Sequence, residues 1–205
     1  MKLYIANHTC SLAAQIIAHE VEQPLDLIHV NVKDKTYGKG EDYLAVNRYG
    51  YVPTLGLDDG GTLSETLAVT TYLADTKPEA KLIPPAGSFD RARMLELQTF
   101  IASEIHQKFI PVFRDFVTEE AKERFRAILV KHFASLDERL ADGRTYLTGE
   151  TFTVADAYLF SVTLWTERTH VNIDHLKNIW SFQGRVAARP AVQAALRDEA
   201  AAAAA

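Results

Sequence analysis

Apolar positions change period along the chain, and each change marks an element. Leu3-Tyr4-Ile5 is a short unbroken apolar run and predicts a buried strand. After the polar break Asn7-His8-Thr9, Leu12, Ile16, Ile17 and Val21 fall at helical spacing, and Pro24 closes the run. Ile28, Val30 and Val32 then alternate with His29 and Asn31, a strand with one polar face. Strand, helix and strand within about 30 residues form a βαβ unit, so its two strands should run parallel. A polar stretch with Gly38 and Gly40 leads to a short helix expected around Asp42 to Val46. Val52 to Leu57 and Thr62-Leu63 flank Asp58-Asp59-Gly60-Gly61, which predicts an antiparallel hairpin. A helix from about Glu65 to Asp75, with Leu67, Thr70, Thr71 and Ala74 on one face, completes the order β-α-β-α-β-β-α.

Pro78, Pro84, Pro85 and Gly87 crowd the next stretch, which cannot continue a helix or a central strand. We therefore read residues 1–77 as a thioredoxin-like α/β domain, 78–88 as a linker and 89–205 as an all-α domain. Met94, Leu97, Ile101, Ile105 and Phe109 make one helical stripe of that second domain. Phe125, Leu129, Phe133, Leu136 and Leu140 make another, Val154, Ala157, Ser161, Leu164 and Trp165 a third, and Leu176, Ile179 and Val186 a fourth. Such a pattern predicts a helix bundle.

Composition narrows the function classes. Net charge is −5, and basic residues form no cluster, which argues against nucleic acid as a partner. Apolar runs fall short of the ~20 residues that cross a bilayer, and polar residues follow the first strand too soon for a signal-peptide core. A cytoplasmic protein is the expectation. The only cysteine is Cys10, so an intrachain disulfide and a Cys-x-x-Cys pair are both excluded. The seven histidines are scattered without metal-ligand spacing, so no metal is expected. Phosphate-loop, dinucleotide and nucleophile-elbow motifs are absent. The closing run, Ala200 to Ala205, suits a helix and carries no chemistry.

Cys10 sits between the first strand and the first helix, where unpaired N–H groups favour an anion. Lowering a thiol pKa from about 8.5 to about 6.5 requires roughly 2.7 kcal/mol. A helix end supplies ~0.3–1 kcal/mol and at best ~2, so direct hydrogen bonds would have to add the rest. Two readings stay open: a reactive thiol or a buried, inert one. Val52-Pro53 precedes a strand; a cis bond there would turn the Val52 backbone outward toward an extended peptide, whereas a trans bond would only start the strand. Ser64-Glu65-Thr66 opens a helix, either as a cap or as a holder of an α-amino-acid end, with Thr66 and nearby N–H groups on a carboxylate and Glu65 on an ammonium. Thr153-Val154-Ala155-Asp156 is a capping box with Asp at its fourth place, a folding signal. His106 falls on the stripe Thr99, Ala102, Ser103, His106, off the main apolar face, and so faces either an interdomain cleft or solvent.

Taken together, Cys10-Ser11, Val52-Pro53, Ser64-Glu65-Thr66-Leu67-Ala68-Val69, Thr70-Thr71-Tyr72-Leu73-Ala74-Asp75, Ile101-Ala102-Ser103-Glu104-Ile105-His106, Thr153 to Tyr158 and Arg189-Pro190-Ala191-Val192 resemble the bacterial beta-class glutathione transferases. The resemblance runs from Met1 to about Leu196. It implies that Cys10 lies beside the glutathione sulfur and can form a mixed disulfide with it, and that His106 reaches toward the same sulfur. It further implies that Val52, beside a cis Pro53, pairs with the cysteinyl unit, that Glu65 and Thr66 hold the γ-glutamyl end, and that Lys35 contacts the ligand. Glu104 is implied to reach the neighbouring subunit's site, and hence a homodimer. Three positions depart from the pattern: Thr66 stands where the family usually has Ser, Thr99 where it often has Asn, and Gln107 where it often has a basic residue. Loss of that charge puts one carboxylate contact in doubt.

The resulting expectation is an enzyme that binds glutathione as co-substrate, stabilises its thiolate and conjugates it to a small hydrophobic electrophile. Phe109, Phe113 and Trp165 are candidates for the apolar wall, or else core. Two rivals remain: glutathione-dependent disulfide reduction through a Cys10 mixed disulfide, and a non-enzymatic ligand-binding protein on the same scaffold.

Overall fold

The first apolar run becomes the middle of a sheet. The structure, a computed structural model, describes residues 1–204, with side chains through 201. In β1 (Lys2–Ile5), Leu3 and Ile5 are wholly buried. The expected helix is α1 (Ser11–Glu20), where Leu12, Ile16 and Ile17 are buried along with the small residues between them. β2 (Asp26–Asn31) lies parallel to β1, with Lys2 opposite Asp26 and Ile5 opposite His29. Val30 carries the buried face of β2, while Val32, predicted to share it, lies past the strand end and is exposed.

Two short strands escape the periodicity. β3 (Thr36–Tyr37) and β4 (Glu41–Asp42) extend the sheet beyond β2. Two residues are too few to display an alternation. The short helix expected at Asp42 to Val46 is a single 3₁₀ turn, Tyr43–Ala45, whose Leu44 N–H donates to the Asp42 carboxylate. So short a segment suits the tighter turn better than an α-helix, whose first turn is costly to form. β5 (Thr54–Gly56) runs antiparallel to β1, and β6 (Thr62–Ser64) forms the expected hairpin with it. The sheet order is β4-β3-β2-β1-β5-β6. α2 (Thr66–Asp75) begins one residue later than expected. Its buried face is Thr66, Val69, Thr70, Leu73 and Ala74, whereas Leu67 and Thr71, predicted inward, are half-buried.

The chain divides into two compact units, Met1–Ala80 with the stretch from Arg189, and Lys81–Ala188. Within the second unit, α3 (Phe89–Phe100) runs directly into a π-helical segment, Ile101–His106, and then α4 (Gln107–Val112). All five residues of the predicted stripe, Met94 to Phe109, are buried. α5 (Glu119–Leu140) buries Leu129, Phe133, Leu136 and Leu140. α6 (Val154–Thr163) starts at the predicted capping box: the Asp156 carboxylate accepts the Thr153 N–H at 2.7 Å, the Thr153 hydroxyl at 2.8 Å and the distant Leu147 N–H at 2.8 Å. α7 (Trp165–Thr169) follows after a break at Leu164, which is exposed although the stripe placed it inside. α8 (Lys177–Ala187) buries Ile179 and Val186 as predicted.

The last helix, α9 (Pro190–Ala204), groups with the first unit, although the sequence reading attached residues from Arg189 onward to the all-α domain. It packs on α1 and buries Val192 and Ala195. Arg189 forks onto Glu20, Nε to Oε1 at 2.7 Å and Nη2 to Oε2 at 2.9 Å, and His19 pairs with Asp198 at 2.7 Å. Most of the closing alanine run continues this helix; Ala205 lies outside the described residues.

Candidate functional site

In the first unit, the β1–α1 loop, the β5 entry and the α2 start meet. Thr9 and Ser11 tie the loop to Ala6: both hydroxyls donate to the Ala6 carbonyl, at 2.7 and 3.1 Å. That places Cys10 at the N-cap of α1. Its thiol donates to the Val52 carbonyl at 3.4 Å and hydrogen-bonds the Thr66 side chain. Cys10 is 7 % exposed, and burial pushes its pKa up to about 11, against the lowering effect of the Thr66 bond. Of the two readings the sequence leaves open, this burial favours the protonated thiol. Desolvation of the charged form outweighs the helix terminus, and the nearby Glu65 carboxylate adds to the rise.

The Val52–Pro53 peptide is cis. The loop before it is pinned from below by two residues the sequence reading did not single out. Tyr43 donates its hydroxyl to the Tyr51 carbonyl at 2.8 Å, and the Asn47 side-chain amide donates to the same carbonyl at 2.9 Å and to the Thr54 hydroxyl at 3.0 Å. Among the described residues, no group accepts a hydrogen bond from the Val52 N–H. Lys35 stands at the same loop: its ammonium donates to the Gly50 carbonyl at 2.8 Å and lies 5.3 Å over the Tyr51 ring. Gly50, at φ +65°, makes room for it, since a Cβ there would stand 2.9 Å from Lys35 Cδ.

Glu65 precedes α2 at φ +75° and ψ +126°, a backbone conformation non-glycine residues seldom adopt. Its carboxylate is exposed, while Thr66 is buried beside the Cys10 sulfur. A backbone carbonyl, a hydroxyl, the amides opening α2, a carboxylate and an ammonium are thus linked by contacts running from Lys35 through Gly50, Val52 and Cys10 to Thr66. They suit a peptide-like ligand with both an ammonium and a carboxylate.

The remaining candidates belong to the second unit. His106 ends the π segment, and its Nδ1 lies 2.7 Å from the Tyr158 hydroxyl of α6. Its ring meets Trp165 edge-on at 4.9 Å. Burial lowers its pKa to about 4, so the imidazole is neutral at physiological pH. In the sequence Tyr158 only closes the Thr153–Tyr158 stretch that carries the family resemblance; its bond to His106 spans 52 residues. Thr99 is exposed on α3. Glu104 lies 3.6 Å from the Lys108 ammonium and 3.8 Å from His132 Nε2, partners within its own unit. Phe109 is 0 % exposed, enclosed by Phe113, Phe133 and Trp165, and Trp165 is 5 % exposed. Of the three rings considered for an apolar wall, Phe113 is the open one, 37 % exposed with the Arg168 guanidinium 5.6 Å from it. Among the described residues, no cluster of His, Cys, Asp or Glu is arranged to hold a metal ion, and no helix is long and apolar enough to cross a membrane.

A thioredoxin-like unit with a cis-proline loop is joined in one chain to a helical unit, the two-domain architecture of the transferase family whose models match here. The chain belongs to the glutathione S-transferase family, whose members are transferase enzymes. Residues 9–76 match "Glutathione S-transferase, N-terminal domain" and residues 119–198 match "Glutathione S-transferase, C-terminal domain". Glutathione S-transferase GstA of Escherichia coli is 41% identical over 199 residues, covering 97% of this chain and 98% of that protein. A sphingomonad glutathione S-transferase solved with glutathione is similar at a TM-score of 0.93 and 38% identity, over 98% of this chain and 99% of that one. A bacterial beta-class enzyme of Sphingomonas chungbukensis is similar at 0.93 and 37% identity, over 97% and 98% of the two chains. These likenesses bear out the beta-class resemblance carried by the sequence motifs.

Proposed function

We propose that the protein conjugates glutathione to small hydrophobic electrophiles, binding the tripeptide along the track from Lys35 through Val52 to Glu65 and Thr66. The observation that carries this reading is the unpaired Val52 N–H, with the Cys10 sulfur on the Val52 carbonyl and beside the Thr66 hydroxyl. An extended cysteinyl unit would pair with Val52 N–H and C=O, which brings its sulfur to Cys10; the family resemblance gives His106 its role toward the same sulfur. Glu65 would answer the γ-glutamyl ammonium, and Thr66 with the α2 amides its carboxylate.

Burial favours a protonated Cys10, and its one S–H, turned from the Val52 carbonyl to the ligand, would be a weak donor to the glutathione sulfur, with neutral His106 as a second donor. Both favour the thiolate of glutathione, the attacking species. Phe113, the exposed ring, is the apolar wall for the electrophile, with Trp165 and Phe109 packed behind it. Thr99 and Glu104 complete the glutathione contacts, Glu104 across a homodimer. A lone free cysteine fits a reducing cytoplasm. Retention on glutathione–agarose and glutathione-dependent conjugation across several electrophiles is the expected result; absence of both overturns the reading.

Disulfide reduction through Cys10 stays a second reading because the sulfur lies at the cis-proline loop. Cys10→Ala separates the two: conjugation retained with reductase activity lost assigns both activities, and equal loss of both contradicts conjugation on glutathione's own thiolate.

A further inference from the structure

His106 has two ring nitrogens, and a neutral imidazole carries its proton on one of them. Nδ1 stands 2.7 Å from the Tyr158 hydroxyl, a heavy-atom distance at which one of the two must donate. Tyr158 is buried on α6, in the helical stretch that opens at the Asp156 capping box, so its ring has little freedom to turn away. Trp165 packs edge-on at 4.9 Å and closes off another side of the imidazole. Among the described residues, Nε2 has no hydrogen-bond partner.

We propose that Tyr158 is a positioning residue for the transfer reaction: it donates its phenolic proton to His106 Nδ1 and so holds the proton of the imidazole on Nε2. In that tautomer His106 carries one N–H, on Nε2, in a fixed direction, as a donor available to an anionic sulfur. The opposite tautomer would present a lone pair to a sulfur lone pair, which repels. The free phenol, with a pKa near 10, is still protonated at neutral pH and is the natural donor to an imidazole nitrogen. Low basicity of His106 has the same origin as its usefulness here: the ring is desolvated, stays neutral and donates without carrying charge. The catalytic part of this proposal rests on the glutathione-facing role given to His106 above; the tautomer itself does not.

Nitrogen-15 NMR of the labelled full-length protein reads the tautomer directly, with the His106 signals assigned by their loss in His106→Gln. The expected spectrum shows a protonated Nε2 and an unprotonated, hydrogen-bonded Nδ1. A protonated Nδ1 in the wild type overturns the proposal, whether or not any variant folds. In Tyr158→Phe the ring should populate both tautomers, and kcat/KM for glutathione should fall by about three- to tenfold, the size of one ordinary hydrogen bond. KM for the electrophile should stay unchanged, a split that a general loosening of α6 would not produce. Tyr158→Phe with a wild-type tautomer and wild-type kcat/KM also overturns it. Failure of the underlying functional reading has its own signature: His106→Gln with unaltered kcat/KM and unaltered thiolate absorbance of bound glutathione removes His106 from the reaction, and the catalytic part of the proposal with it, whatever the NMR shows.

Discussion

Cys10 and His106 are both held neutral by burial, and that gives opposite signatures in pH. Cys10 has a folded pKa near 11 against an ordinary 9.0. A pKa raised on folding contributes stability that is complete below the ordinary value and is lost as pH climbs through the folded one. About 3 kcal/mol should therefore disappear between pH 9 and 11, and Cys10→Ala should remove that slope in urea unfolding. Alkylation of Cys10 by iodoacetamide should be slow at pH 7 and accelerate toward pH 11. His106 runs the other way. Its folded pKa of about 4 lies below the ordinary 6.5, so the unfolded chain takes up the proton first and stability falls as pH drops from 6.5 to 4. At most about 3 kcal/mol is at stake, and His106→Gln should flatten that acid limb. The placement of Cys10 between strand and helix was legible in the sequence. Its protonation was not, because Val52 and Thr66, far along the chain, are what enclose the sulfur.

Among the elements, α6 rests on one carboxylate. Asp156 is fully buried and satisfies two backbone N–H groups and a hydroxyl at once. Asp156→Ala orphans the Leu147 and Thr153 amides and should cost about 3 kcal/mol in urea unfolding, whereas Thr153→Ala, which keeps both amides paired, should cost about 1. That box was readable because its signal is local. The run from Leu97 through Ile101 and Ile105 to Phe109 carries a further local signal. Three successive steps of four residues drift by roughly 120° around an ordinary α-helix, yet all four side chains are buried. The wider turn of the π segment Ile101–His106 absorbs that drift. By contrast, β3 and β4 have two residues each and leave no periodic trace, and the Glu65 backbone follows from where α2 must start, not from its own residue type.

For the whole molecule, the pairing of α9 with α1 matters most. A chain ending at Ala188 would lose Val192 and Ala195 from the first unit's interior and leave Glu20 without its arginine. It should lose at least about 3 kcal/mol in that unit and fail to bind glutathione–agarose, while Lys81–Ala188 keeps its helical circular dichroism. Nothing in the local pattern near Arg189 announces its partner. The bond to Glu20 crosses 169 residues, and amphipathic periodicity reports only that a helix has an inner face.

That return of α9 to the start of the chain also sets an order of events on the ribosome. Synthesis proceeds from the amino end, so the helical unit Lys81–Ala188 is fully extruded while the first unit still lacks its final strut. Until Arg189 and the residues behind it emerge, the surface of α1 that they cover stands open to chaperones. The portion of the molecule translated first is thus the one that matures last.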